Sequence, residues 1–313
     1  MPRYRNALPQ LSDDMFLTDA GLETDLIFNK GIEIREFAAH TLLTTNEGRA
    51  ALARYFEGFL DLAKARNVGF ILDSATWKAH RHWAQDLGSS PAELRVANED
   101  SINFIRELRD RFSRNAKPIV LNAIIGPCGD AYRPEVAISI DAAEAYHAEQ
   151  ISWIAATHAD MVSAVTFNQA SEAAGLVRAA RSAGLPAAVS FTVETDGKLP
   201  SGQSLPEAIA EVDEASDSYA AYFMINCAHP DHFSGALDDA SWARRIRGVR
   251  ANASRKSHAE LDEASELDAG NPVELAGQYR LLEQRMPWLN IFGGCCGTDL
   301  RHVTEIAAAV GPR

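Results

Sequence analysis

Eight short apolar segments of strand-like composition alternate with longer amphipathic segments along the whole sequence, a rhythm that few folds accommodate. Most of the eight are apolar over several consecutive residues, as expected for parallel strands buried on both faces. They are residues 16–21, 69–76, 118–126, 161–167, 186–193, 221–228, 245–253 and 289–296. A doubly wound sheet needs fewer strands and a glycine-rich first turn, and the turn DAGLET at 19–24 lacks the pattern G-x-G-x-x-G. We therefore predict a single (β/α)8 TIM barrel, an α/β fold with its active site at the C-terminal ends of the strands.

Length and charge narrow the possible partners. The chain has 313 residues without a break in composition, which predicts one barrel domain over 1–313. Its formal net charge of −13 disfavours nucleic acid and anionic membrane surfaces as partners. The sequence shows neither a secretory signal nor an uncharged stretch of the ~18 residues that a membrane span needs. We expect a cytoplasmic protein that acts on small molecules, and a homo-oligomer is compatible with the sequence.

Two polar segments interrupt the alternation of strands and helices. Residues 194–204 follow the fifth strand segment, and residues 254–271 follow the seventh and are rich in charge. In a barrel, both segments lie on the face where the C-terminal ends of the strands gather. They are either solvated surface or lids over a site on that face.

The four cysteines do not have the pattern of a disulfide framework. They are Cys128, Cys227, Cys295 and Cys296, and a cytosolic chain keeps its thiols reduced. The absence of a C-x-x-C sequence also disfavours a thioredoxin-like redox centre. Cys128 lies in the apolar run IIGPCGD and is predicted to be a buried structural thiol.

The other three cysteines lie where barrel enzymes hold their active sites. Cys227 ends the sixth strand segment in MINCAHP, and Cys295 and Cys296 end the eighth in FGGCCGT. Three thiolates without a fourth are typical of a catalytic zinc site, which keeps one coordination position for substrate. Gly293 and Gly294 would let the backbone bend so that two successive residues face the metal. The alternative interpretation is a glycine-rich turn with incidental thiols.

Five short motifs extend over nearly the whole chain. They are TDAGLETDL at 18–26, SATWKAH at 74–80, IGPCGD at 125–130, INCAHP at 225–230 and GGCCGT at 293–298. In this order they resemble the homocysteine S-methyltransferase family, barrel enzymes that include the betaine- and S-methylmethionine-dependent methyltransferases. GGCCGT with its upstream NC is the most specific of the five. The resemblance implies that Cys227, Cys295 and Cys296 bind Zn2+ and that a thiol, homocysteine, takes the fourth position and is converted to methionine.

The chemistry of zinc agrees with this implied activity. A free alkyl thiol has a pKa above ~8, so it is mostly protonated at neutral pH. Zinc deprotonates a bound thiol and leaves the sulfur able to attack a methyl group on an onium donor. Such a transfer needs no general base, and the sequence has no Ser-His-Asp or H-E-x-x-H pattern. The barrel takes up the whole length, so we expect a small donor such as S-methylmethionine, S-adenosylmethionine or betaine.

Four further residues are predicted to contact substrate. Asp19 matches the acidic residue of the family's D-G-G turn, which implies that it accepts a hydrogen bond from the substrate ammonium group. Thr76 and Asn226 lie at the ends of strands two and six, where they are predicted to orient substrate or a zinc-bound cysteine; the alternative is that they simply cap turns. The family usually carries an acidic residue at the end of strand four, where this chain has Val165. We hypothesise that Glu23 supplies the missing charge, and Asp19 and Glu23 are the predicted catalytic pair.

The sequence leaves the donor site and the acceptor open. Trp77 and Trp83 either stack on a cationic donor or pack in the core. Because Val165 replaces the usual acid, a zinc methyltransferase or demethylase acting on a different thiol is the nearest alternative. A non-catalytic barrel that keeps zinc as a structural or sensing site is the second.

Overall fold

The computed structural model contains a closed barrel of eight parallel strands, each paired with the next and the last with the first. The strands are β1 (Phe16–Leu17), β2 (Gly69–Asp73), β3 (Ile119–Ile125), β4 (Met161–Phe167), β5 (Ala187–Phe191), β6 (Ala220–Asn226), β7 (Ile246–Ala251) and β8 (Ile291–Gly294). Pairing of Phe16 with Ile291 and of Leu17 with Phe292 closes the ring. The predicted (β/α)8 barrel is confirmed.

The structure describes residues 1–114, 116–132, 137–237, 240–264 and 266–311. No helix in these ranges combines the length and the apolar character needed to cross a membrane. The prediction that residues 1–313 form a single domain stays a prediction.

Helices surround the barrel. They are α1 (Leu22–Thr24), α2 (Asn46–Arg66), α3 (Ala84–Leu87), α4 (Pro91–Phe112), α5 (Ile140–Ala155), α6 (Ala170–Ser182), α7 (Leu205–Ala215), α8 (Pro230–Phe233), α9 (His258–Asp262), α10 (Pro272–Arg285) and α11 (Leu300–Ala309). The start of α4 illustrates how local sequence sets a boundary. Ser90 and Glu93 form a reciprocal capping box, and Pro91 takes the first helical position, where a missing N–H costs nothing.

The strands are apolar on both faces because each face packs on a different layer. In β2, Ile71 points into the barrel and joins a small interior cluster with Val120 and Met161. Its neighbours Phe70 and Leu72 point outward into the much larger core between strands and helices. This alternation explains why the strand segments are continuous apolar runs in the sequence.

The N-terminal segment closes the end of the barrel where the strands begin. Gln10 is fully buried there, and its amide lies 3.0 Å from the sulfur of Met161 and 3.4 Å from the hydroxyl of Tyr222. Asn290 holds the segment in place by donating to the carbonyl oxygens of Gln10, Ser12 and Asp14. A site inside the barrel is therefore approached from the opposite end.

Most predicted strands run past the end of the observed ladder. The first was predicted as 16–21 but pairs only over Phe16–Leu17, and the eighth was predicted as 289–296 but ends at Gly294. Main-chain hydrogen bonds continue just beyond these points, from Thr18 N–H to the carbonyl oxygen of Phe292 and from Cys295 N–H to that of Ala251, before the loops begin. Residues 194–204 and 254–271, the two polar segments, also follow strand ends, and α9 lies in the second. Ser265, in that second segment, lies outside the described residues.

Candidate metal centre and substrate cavity

A cavity of about 430 Å³ opens at the C-terminal ends of the strands. Its wall includes loops after β1, β2, β3, β6, β7 and β8, together with Leu261 and Asp262 of α9. Cys227, Cys295 and Cys296 all line it. This is the end of the barrel at which the sequence predicted the active site.

The structure brings the three predicted cysteines together. The sulfur atoms of Cys227, Cys295 and Cys296 all lie within 4.8 Å of one another, and those of Cys227 and Cys296 are 3.6 Å apart. In the described part of the chain, this is the only group of three or more His, Cys, Asp or Glu residues close enough to hold one metal ion. Cys128 is not part of it.

Two local backbone features place these sulfurs. Cys227 directly follows Asn226, the last residue of β6, and has a φ of +53°. This left-handed backbone conformation costs free energy for any residue other than glycine. Gly293 and Gly294 have ordinary φ values but no room for a side chain, because a Cβ atom would collide with Thr18 and Thr298. The glycines were predicted to provide a bend. Their role in the structure is to allow close packing at the end of β8.

The sulfurs of Cys227 and Cys295 are joined as a disulfide, and Cys128 and Cys296 are free thiols. The expectation of four reduced thiols is therefore wrong for this structure. The physical reason is proximity, since the Cα atoms of the pair are 5.4 Å apart, within the range that a disulfide spans. Ligands of one metal ion must lie this close, and only their reduced thiolates bind it.

The remaining thiol of the cluster is not a strong nucleophile by itself. Burial raises the pKa of Cys296 to about 11, and the nearby negative charge of Glu23 adds to the shift. Cys296 is therefore protonated at neutral pH unless a cation replaces its proton.

Asn226 and Tyr132 donate hydrogen bonds to the cysteine sulfurs. The amide of Asn226 donates to Thr166 Oγ1 at 2.7 Å and lies 3.8 Å from Cys295 Sγ. This position agrees with the predicted role of Asn226 in orienting a metal-binding cysteine. Tyr132 donates its hydroxyl to Cys227 Sγ at 3.3 Å, and burial keeps the pKa of that hydroxyl well above its ordinary value. Sequence analysis missed Tyr132, which lies in a loop after β3 without a distinctive pattern.

Asp19 lines the cavity, but its partner is a protein side chain that the sequence did not reveal. Arg250, on β7, reaches across the barrel and donates to Asp19 Oδ1 at 2.5 Å and to Asp73 Oδ2. The same guanidinium donates through Nε to the carbonyl oxygen of Gly294 at 3.2 Å. Asp19 also accepts from the hydroxyl of Tyr55 at 3.3 Å. The predicted ammonium ligand is thus engaged in a buried ion-pair network.

Two acidic groups of the cavity, Asp19 and Glu23, retain their protons unusually well. Burial raises the pKa of Asp19 to about 7 against the opposing charge of Arg250, and the carboxylate of Asp73 adds to the rise. Burial likewise raises the pKa of Glu23 to about 7, although the charges of Lys78 and Arg250 lower it. Glu23 lines the cavity, as its proposed role requires.

Thr76 does not reach the cavity. Its side chain is fully buried, donates to the carbonyl oxygen of Ile124 at 2.7 Å and lies 2.6 Å from Ser74 Oγ. These contacts tie the loop after β2 to β3. The contact with substrate predicted for Thr76 stays a prediction that this geometry does not support.

The end of β4 is apolar where a carboxylate was expected. Val165 lines the cavity, and its carbonyl oxygen accepts from the indole N–H of Trp77 at 2.9 Å. The ammonium of Lys78 lies 3.6 Å from the centre of a ring of Trp83, so the cation on that indole is a lysine of the chain itself. Lys78 therefore adds one positive charge to the wall that contains Glu23.

Comparison with known proteins identifies the family. The family model described as homocysteine S-methyltransferase matches residues 16–310. The homocysteine methyltransferase MmuM from Escherichia coli is similar in fold: its oxidized form has a TM-score of 0.75 and 17% sequence identity, covering 98% of this chain and 100% of that one. Its metallated form has a TM-score of 0.73 and 18% identity, with 97% and 99% covered. No curated protein matches the sequence significantly. Because the family model spans nearly the whole chain, the protein belongs to the homocysteine S-methyltransferase family and is an S-methyltransferase.

Proposed function

We propose that this protein is a zinc-dependent methyltransferase that moves a methyl group from a small onium donor to a thiol, with homocysteine as acceptor and methionine as product. The observation that carries the proposal is the cluster of Cys227, Cys295 and Cys296, with all three sulfurs within 4.8 Å at the wall of the cavity. The family to which the chain belongs supports the same reaction.

The donor set fits zinc. Three cysteine sulfurs from two strand ends are soft ligands of the kind that Zn2+ prefers, and three protein ligands are typical of catalytic zinc. Cys227 and Cys295 must first be reduced, because a disulfide offers no thiolate. Zinc held by these residues would take the acceptor sulfur as a fourth ligand and lower its pKa, making it nucleophilic at neutral pH.

The protein's own residues orient the ligands and keep water away. Asn226 and Tyr132 donate toward Cys295 and Cys227, and such outer hydrogen bonds fix ligand direction and withdraw charge from the sulfur. Asn226 and Cys227 are almost completely buried, so solvent reaches the cluster only from the cavity side. The acceptor must therefore enter through the same opening as the donor.

The charge of the cavity favours a cationic donor. Its lining contains two basic side chains, Lys78 and Arg250, against seven acidic ones: Asp19, Glu23, Asp73, Asp130, Asp262, Glu266 and Asp268. Asp19 and Glu23, with pKa values of about 7, are only partly ionised at neutral pH, but the other five carboxylates outnumber the two cations. A concave wall with this excess of negative charge concentrates cations. In the transfer, a bond forms between the acceptor sulfur and the methyl carbon as the carbon–onium bond breaks. The donor leaves neutral with the electron pair, and the thiol proton goes to water.

A second acceptor class has specific support. Val165 offers no charge to an ammonium group, and Asp19 is already paired with Arg250. Both observations favour a thiol without an α-amino group, such as a mercapto acid. Glu23, which lines the cavity, is the carboxylate through which we expect the site to prefer homocysteine.

A panel of substrates separates these possibilities. The reduced protein, loaded with Zn2+, is incubated with homocysteine or with 4-mercaptobutanoate, which is homocysteine without its amino group. Each is combined with S-methylmethionine, S-adenosylmethionine or betaine, and the products are read by mass. Methionine as the preferred product supports the main proposal, and a methylated mercapto acid supports the second. The absence of bound zinc in the reduced protein would refute both.

A further inference from the structure

We infer that His258 is a positioning residue for the metal centre: it clamps the main chain of Cys227 and thereby couples the segment 254–264 to metal binding. The inference rests on the proposed function, because it concerns how one zinc ligand is held. It begins with the conformation of Cys227, whose φ of +53° is costly for a residue with a side chain. Such a conformation persists only where surrounding contacts determine it.

Three donors converge on the carbonyl oxygen of Cys227. His258 Nε2 lies 2.6 Å away, Asn252 Nδ2 lies 3.0 Å away and Thr192 Oγ1 lies 3.3 Å away. The side chains of all three donors are at least nine-tenths buried. Asn252 and Thr192 follow barrel strands directly, whereas His258 comes from the segment after β7. Movement of the segment after β7 would therefore remove the hydrogen bond from His258 to the Cys227 carbonyl oxygen and leave those from Asn252 and Thr192 in place.

His258 also joins the two polar segments that interrupt the alternation of strands and helices. Its other ring nitrogen, Nδ1, lies 3.1 Å from Glu194 Oε1, at the start of the segment 194–204. The ring packs against that of Tyr132, with centroids 4.3 Å apart, and Tyr132 donates to the sulfur of Cys227. One imidazole thus touches both loops, the main chain of the ligand and the tyrosine bonded to its sulfur.

The consequence is reciprocal coupling. If the segment 254–264 is seated when Cys227 holds the metal, then metal binding must in turn stabilise the seated segment. Two lysine- or arginine-specific cleavage sites, Arg255 and Lys256, lie in this segment beside His258. Trypsin therefore reports its opening directly.

The test uses the reduced full-length protein and Zn2+ as the probe. Zinc affinity is measured by competition with a chromophoric chelator for wild type, His258→Ala and His258→Gln. We expect His258→Ala to weaken zinc binding by about 10- to 100-fold, the usual effect of losing an outer contact of a metal ligand. Glutamine can place an N–H near the position of Nε2, so His258→Gln should recover most of the affinity. His258→Met fills similar space without an N–H donor, so it should bind zinc as weakly as His258→Ala; recovery by His258→Met as well as by His258→Gln would indicate a space-filling role and would overturn the inference.

His232→Gln is the matched control. His232 lies 2.9 Å from the carbonyl oxygen of Arg255, so this variant alters a histidine–carbonyl contact of the same segment without touching Cys227. We expect it to bind zinc as wild type does. Zinc should also slow tryptic cleavage after Arg255 and Lys256 in wild type and in His232→Gln but not in His258→Ala.

Two further results would overturn this inference alone, and a third would overturn the proposed function as well. Equal zinc affinity in wild type and His258→Ala would overturn the inference while leaving the proposed function intact. Should His258→Ala fail to fold, equal cleavage of wild type with and without zinc would overturn it instead. A reduced wild type that binds no zinc would overturn the proposed function and this inference together.

Discussion

The cavity has two unlike ends, and they differ in how far the sequence revealed them. The thiol end consists of Cys227, Cys295 and Cys296, whose sulfurs lie within 4.8 Å of one another. The acid end consists of Asp19, Asp73 and Arg250, which form a buried ion-pair network. The thiol end is specified by neighbours in sequence, and the acid end is made by a long side chain that crosses the barrel. Short-range motifs therefore identify the first and not the second.

The largest expected effect removes one ligand from the thiol end. Cys296→Ala should abolish methyl transfer and lower zinc content, because two sulfurs do not complete a catalytic zinc site. Zinc per chain, measured on the reduced protein by elemental analysis, and turnover of homocysteine check this prediction.

Cys128→Ala is the control for that variant. Cys128 lies outside the cluster, so zinc content and turnover should remain at the level of wild type. Turnover by Cys296→Ala without zinc, or loss of metal from Cys128→Ala, would show that the thiol end has been assigned to the wrong residues.

The next variant removes the central charge of the acid end. Arg250→Met leaves Asp19 and Asp73 buried beside each other without a cation, which should lower the free energy of unfolding by about 3–5 kcal/mol. Urea unfolding of the reduced, metal-free protein measures it. Arg255→Met removes an arginine whose two ion pairs are about half exposed, and it should have little effect. Equal losses in the two variants would mean that the acid end is no more than a surface contact.

The contrast between the two ends also explains what the sequence could predict. The eight strands follow from continuous apolar runs, and β4 was predicted with its observed bounds, 161–167, because every residue of it except Val165 is buried. The three cysteines follow from their position after β6 and β8. In both cases, the deciding information lies within a few neighbouring residues.

Other features of the site depend on distant contacts. Arg250 is one of several charged residues in a seventh segment, RIRGVRANA, and nothing local distinguishes the arginine that reaches Asp19 from those at 245 and 247. Thr76 was placed in the site because it follows a strand, yet its hydroxyl turns to Ile124. Cys227 and Cys295 were expected as free thiols because sequence alone does not give the distance between them.

Glu23, in the wall of the same cavity, tests whether the site recognises an ammonium group. Replacing a charged hydrogen-bond acceptor typically costs 1.5–3 kcal/mol, so Glu23→Gln should weaken homocysteine binding by about tenfold or more. Its affinity for 4-mercaptobutanoate should stay unchanged, since that thiol has no ammonium group. Titration of both thiols into the zinc-loaded protein makes the comparison. An unchanged affinity for homocysteine would show that Glu23 does not replace the acidic residue that the family usually carries at the position of Val165.

The smallest expected effect concerns stability and pH in the reduced, metal-free protein. The pKa of Glu23 is about 7 in the folded state, against 4.5 ordinarily, so the folded protein holds this proton between the two values. Its contribution to stability is fully present below pH 4.5 and is lost as pH rises through 7. Between pH 4.5 and 7.5, wild type should therefore lose about 1 kcal/mol relative to Glu23→Gln, after allowing for partial solvent access.

The difference between the two proteins is the quantity to measure, because other groups titrate in the same range. Burial lowers the pKa of His40 and of His229 to about 4, so these histidines make the protein more stable as pH rises. Asp19 acts in the same direction as Glu23. His40 and His229 are present in both proteins and cancel in the difference between their urea midpoints, whereas the raised pKa of Asp19 depends partly on the charge of Glu23 and is counted with the effect of Glu23. Parallel midpoints from pH 4.5 to 7.5 would show that Glu23 titrates with the ordinary pKa of a solvated carboxylate, so that it is fully ionised at neutral pH and adds a whole negative charge to the cavity wall.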